Sequence, residues 1–172
     1  ELLSSDDIKF IRKKSIELIK LNEKRKKIET LILNEINFDE IEKDNKNIIV
    51  YYKPNINEGL IGIIAARIKD HFNKPAIVIT TSNDVLKGSA RSIYKFNIGR
   101  IIKDALDNNI VISGGGHNMA AGFTLEKNNL ESFKKFLSKK FIECGASSDS
   151  VFNYDGEISS IAFNKDFFND IK

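Results

Sequence analysis

The chain has 172 residues, 41% of them hydrophobic and 30% charged, which supplies a buried core and excludes a disordered chain. No apolar run approaches the roughly 20 residues that cross a bilayer, and no basic segment leads into an apolar one as in a secretory signal, so a cytoplasmic protein with no membrane partner is expected. One cysteine, Cys144, rules out an internal disulfide and a cysteine-built zinc site, while a net charge of +3 permits a polyanionic partner without demanding one.

In chain order, the serines and aspartates of "SSDDIKF" can cap a helix, and Ile8, Ile11, Leu18, Ile28, Leu31 and Ile32 follow with an incomplete period of 3.6 and a basic opposite face. Residues 5–36 therefore read as one long helix or two, of the polar kind that connects domains. "NFDEIEKDNKN" reads as a loop, "IIVYY" as a buried strand, and "NEGLIGIIAARIKDHF" as a helix with Leu60, Ile64, Ile68 and Phe72 inward. "KPAIVIT" is the next strand and "LKGSARSI" a strand edge. "NIGRIIKDAL" is a helix with Ile98, Ile101, Ile102 and Ala105 inward. "NIVISGGGHNMAAGFTLE" reads as strand, glycine turn and strand, and "NNLESFKKFLSKKFIE" as an amphipathic helix through Leu130, Phe133, Leu137 and Phe141. "CGASSDS" has linker composition and "VFNYDGEIS" looks like the first strand of a further domain, so the chain reads as a piece of something longer. The expected fold class is α/β, a mixed sheet flanked by helices behind a long connecting helix, divided at 1–46, 47–143 and 144–172.

Two stretches carry chemistry. Gly114, Gly115 and Gly116 together give up backbone entropy, which is tolerable only for a positive φ or for close approach to another group. Such a run is either a tight turn or a nest of N–H groups for an anion. His117 follows them and can donate to a phosphate oxygen or move a proton near neutral pH, and Asn118 extends the loop. A metal role for this histidine is disfavoured, since no second histidine or cysteine cluster stands nearby. In "KGSARS", an extended backbone points Lys87, Ser89 and Arg91 the same way. A guanidinium among hydroxyls suits a phosphodiester, although alone the segment would read as a basic edge strand. His71, near the end of its helix, reads as a surface or capping residue.

"GLIGIIAARIKDHFNKPAIVI", "KGSARSI" and "SGGGHNMAAGFTL", in that order, resemble the DHHA1 region of the RecJ family of single-strand-specific 5′ to 3′ DNA exonucleases. "LNEKRKKIE" is similar to the helix that joins the DHH catalytic domain to DHHA1 in that family, and "VFNYDGEIS" to the entry of its OB-fold domain. The resemblance implies a split site, in which a DHH domain of the same full-length chain binds divalent manganese or magnesium and DHHA1 holds single-stranded DNA. On that reading Lys87, Gly88, Ser89, Arg91 and Ser92 grip phosphates, with Gly114, Gly115, Gly116 and Asn118. His117 is the catalytic candidate facing the scissile phosphate.

Two departures qualify it. The family usually has a Trp-His pair where this chain has Ile56 and Asn57, so an enzyme built on it compensates or is weaker. The chain also lacks DHH and aspartate-rich metal motifs and has only His71 and His117, so it binds no cofactor itself and is not expected to cleave alone. Two alternatives stay open: a DHH/DHHA1 phosphoesterase for short oligoribonucleotides or cyclic dinucleotides, and a non-catalytic nucleic-acid-binding module.

Overall fold

The computed structural model describes residues 2–44, 47–145 and 156–170. Helix α1, Ile8–Asn34, begins where the Asp7 carboxylate accepts hydrogen bonds from the N–H groups of Lys9 and Phe10, so the first of the expected caps is the one used. Its apolar residues do not form one buried stripe. Ile32 and Leu33 pack on the rest of the protein, whereas Ile8, Leu18 and Leu31 are exposed, because the helix projects and only its last turns find a partner. Glu29 is buried there, accepting from Arg67 Nε at 2.9 Å with Arg25 at 3.7 Å.

Helix α2, Phe38–Asp44, occupies the stretch that reads as a loop. Phe38 and Ile41 lie one turn apart and pack inward, Asn37 accepts from the Glu40 N–H, and Asp39 and Glu40 suit the first turn. Strand β1 is Ile49–Tyr52, helix α3 Glu58–Phe72, strand β2 Ala76–Ser82 and strand β3 Val85–Arg91. Helix α4 is Ile98–Asp107, strand β4 Ser113–His117, strand β5 Ala120–Glu126 and helix α5 Leu130–Glu143. The five strands make one mixed sheet in the order β1-β2-β3-β5-β4, parallel only between β1 and β2.

Strand alternation separates two cores. Ile77, Ile79, Leu86, Ala90, Ala121, Phe123 and Leu125 pack against α4 and α5. Ile49, Ala76 and Val78 pack on the other side against α3, through the expected Leu60, Ile64 and Ile68. Asn57, at the departure from the family pattern, accepts from the Gly59 N–H and caps α3, while buried Ile56 accepts the Thr80 hydroxyl on its carbonyl. His71 packs between the rings of Phe38 and Phe72 in the last turn of α3.

Two readings of the sequence are corrected. The "LKGSARSI" segment is no edge: β3 lies between β2 and β5, because Leu86, Gly88 and Ala90 belong to the α4/α5 core. The three glycines are no turn: they are extended in the edge strand β4, the turn being Asn118–Met119. The physical reason is thinness. A Cβ on Gly114 would meet Ile102 of α4 at 2.6 Å, and one on Gly99 of α4 would meet the His117 carbonyl oxygen at 2.7 Å, so helix and strand touch backbone to backbone. Residues 108–112, expected as a strand, form turns and bends with Asn109 at φ 56°.

Of the expected strand at 151–159, residues 151–155 lie outside the described residues and 156–159 form no strand; a short helix α6, Lys165–Asp170, follows. Among the described residues no helix is long and apolar enough to cross a membrane.

Candidate functional site

Helix α3 covers one sheet face over β2 and β3 but stops short of β5 and β4, which leaves a floor open beside it. In an antiparallel sheet, directly opposed residues share a face, so the pairings define three rows across β3, β5 and β4. They are Arg91, Ala120 and His117; then Ser89, Gly122 and Gly115; then Lys87, Thr124 and Ser113. Neighbouring strands lie about 4.8 Å apart, which sets Arg91 and His117 about 10 Å apart at their Cα atoms.

The middle row has almost no side chains. A Cβ on Gly115 would meet nothing within 4 Å and one on Gly122 only the Gly88 carbonyl oxygen at 3.9 Å, so a ligand can reach the backbone. On the α3 side, Arg91 donates from Nη1 to Ser89 Oγ at 3.1 Å and to the Ala90 carbonyl at 2.9 Å. Among the described residues no carboxylate pairs with it, so its charge is available. Lys87 differs, because it is bound to Glu58 at 2.7 Å and, with the Ser82 hydroxyl, holds that carboxyl below the usual carboxylate range.

Gly62 of α3 fits this arrangement. A Cβ there would come 2.8 Å from Arg91 Nη2 and 3.1 Å from Ser89 Oγ, so the glycine lets the guanidinium lie on the helix. Gly62→Ala is expected to keep the melting temperature within a few degrees, since alanine gains about 1 kcal/mol of helix propensity while the flexible guanidinium swings away. The same variant should bind a polyanion several-fold more weakly; an unchanged titration would mean that this Arg91 position is not the binding one.

The structure thus brings together Lys87, Ser89, Arg91, Gly115 and His117. It does not bring in the other candidates. Gly88 lies beneath the Phe123 ring, Gly114 and Gly116 turn toward α4 and the hairpin, and buried Ser92 donates its hydroxyl to the Phe96 carbonyl. Asn118 sits in the turn, accepting from Asn97 Nδ2 at 2.7 Å and, on its carbonyl, from the Ile98 N–H. Gly122, Thr124 and Ser113 were missed in the sequence; reading Asn118–Met119 as a two-residue hairpin turn would have paired them with the known candidates.

Unpaired guanidinium, hydroxyls, bare backbone and imidazole can hold a phosphodiester by hydrogen bonds that ignore base identity. Among the described residues no three His, Cys, Asp or Glu side chains come together to hold a metal ion.

The model of the DHHA1 domain matches residues 45–143, the region that carries this sheet and floor. The chain belongs to the DHHA1 domain family. Among RecJ relatives, this DHHA1 region is 30% identical to the single-stranded-DNA-specific exonuclease RecJ of Haemophilus influenzae over 95% of this chain, and 34% identical to that of Salmonella typhimurium over 78% of it. It spans only 30% and 25% of the length of those two proteins. A crystal structure of RecJ in complex with Mn2+ from Thermus thermophilus superposes with a TM-score of 0.69 at 25% identity, covering 81% of this chain and 20% of that one. The fold and the family are therefore those of a RecJ-type DHHA1 region, as the motifs imply.

Proposed function

We propose that this DHHA1 domain holds the sugar–phosphate backbone of single-stranded DNA for a RecJ-like exonuclease. The hydrolytic centre then lies on a DHH domain outside this chain, where divalent manganese or magnesium would activate water. The described residues offer no donor set for that ion, so the role derived for this chain is positioning. Carrying the reading is the open floor: Arg91 without a carboxylate partner, Ser89, the bare Gly115 and Gly122, and His117 two strands away on the same face. Arg91 and Ser89 fix one phosphate, the glycine row lets the strand lie close to the sheet, and His117 meets a neighbouring phosphate at the far edge. Backbone contacts of this kind position a strand without reading its sequence.

Fluorescence anisotropy of a labelled strand of about 15 nucleotides tests it at low salt. Arg91→Ala should weaken binding about 10- to 100-fold, the loss expected for a charge-assisted hydrogen-bonding group, and His117→Ala about 2- to 10-fold. Affinity should also fall linearly with salt on logarithmic axes. Equal binding by both variants, a flat salt response, or tighter binding of a dinucleotide than of the long strand would overturn the reading.

A further inference from the structure

Helix α1 carries a charged surface that the open floor does not use. Lys9, Lys13, Lys20, Lys24 and Lys27 are all exposed, and at 3.6 residues per turn they fall within about 60° of one another around the helix. With a rise of 1.5 Å per residue they form a straight line about 27 Å long. The opposite side is spoken for: Arg25, Glu29, Ile32 and Leu33 are the residues that seat the helix on α3 and its neighbours. Exposed Leu18 and Leu21 continue that seating side toward the N-terminus, away from the lysines.

Charge neutralisation within the helix leaves the line intact. Glu17 is bound by Lys14 at 2.8 Å and Glu29 by Arg25 and Arg67, so two of the three α1 carboxylates are occupied by other cations. Glu23, at the margin, makes no ion pair with these lysines among the described residues, and none of the five has a carboxylate partner there. A rich supply of lysine explains their number, not their collection on the side facing away from the domain.

We propose that this lysine line is a second nucleic-acid contact, taking the phosphate backbone of a single strand that extends beyond the floor at Arg91. Evenly spaced, mobile cations on a rod match an evenly charged polymer, and point-charge contacts with phosphates need no fixed geometry. It rests on the reading of the floor and extends it to a separate surface, and the experiment separates the two.

The five lysines are replaced together by glutamine, a comparably good helix former, and circular dichroism checks that helix content is kept. Titrations then compare strands of about 6 and about 30 nucleotides, the first long enough for one site only. For the long strand, the variant should lose at least about tenfold in affinity at low salt. The logarithmic salt slope should drop by up to about 3.5, or about 0.7 for each phosphate released. The short strand should bind the variant and the parent alike.

An unchanged slope for the long strand would overturn the proposal and leave the floor standing. Loss with the long strand in the lysine variant, while Arg91→Ala leaves the short strand unaffected, would do the reverse. An acidic peptide that binds the parent as tightly as the long strand would assign the line to a protein partner and overturn it as well.

Discussion

Alanine at Gly116 is expected to lower the melting temperature by about 10 °C or more, and alanine at Gly115 to leave it nearly unchanged, although the two are neighbours in one strand. A Cβ at Gly116 would stand 2.5 Å from Ala121 Cα and closer still to the Ala120 carbonyl oxygen, both on the paired strand β5. Backbone cannot step aside as a side-chain tip can, so the hairpin itself must distort, at a cost of about 3 kcal/mol. In a domain of roughly this size each kcal/mol is worth about 4–8 °C. Gly115 faces open space, and valine there even favours an extended strand. Gly115→Val should therefore fold well yet lose at least about tenfold in binding to single-stranded DNA, by lifting the ligand off the backbone. Differential scanning fluorimetry and anisotropy on the three variants check this. A stable Gly116→Ala protein would return the glycines to a loop, and full binding by Gly115→Val would take the floor out of the site.

That contrast also locates what the sequence made legible. Periodicity identified α3, α4 and α5 with their buried residues, because Leu60, Ile64, Ile68, Ile98, Ile102, Phe133 and Leu137 each face a core that rewards one stripe. It misjudged α1, whose apolar residues meet a partner only at Ile32 and Leu33, and α2, too short for its Phe38 and Ile41 to register as a period. The site residues were found by chemistry, but their grouping depends on strand parity. Lys87, Ser89 and Arg91 share a face as alternation requires, whereas Gly114 and Gly116 turn away from Gly115 once the run is extended and not looped. Glycine frequency alone cannot tell a turn from a strand that must be thin, since both ask for a missing Cβ.

Gly88 sharpens the same distinction, because a glycine amid "KGSARS" invites a phosphate while the structure gives it a packing task. A Cβ on Gly88 would lie 2.5 Å from Phe123 Cε2 and 2.7 Å from Cε1, so the ring lies across this stretch of β3. The ring has little room to retreat, since Phe123 and Phe133 are packed at 4.7 Å between centroids in the α4/α5 core. Gly88→Ala should thus destabilise by about 3 kcal/mol, through overpacking rather than lost contacts. Phe123→Leu should cost about 1–2 kcal/mol alone, yet combined with Gly88→Ala it makes room for the new methyl. The double variant should come out more stable than the sum of the two losses by about 1–2 kcal/mol. Urea denaturation of the four proteins reads that coupling directly. Additive losses would mean that ring and glycine do not meet. A Gly88→Ala protein of parental stability that no longer binds single-stranded DNA would restore Gly88 to the phosphate site, and with it the picture of β3 as a strand whose two faces both serve the ligand.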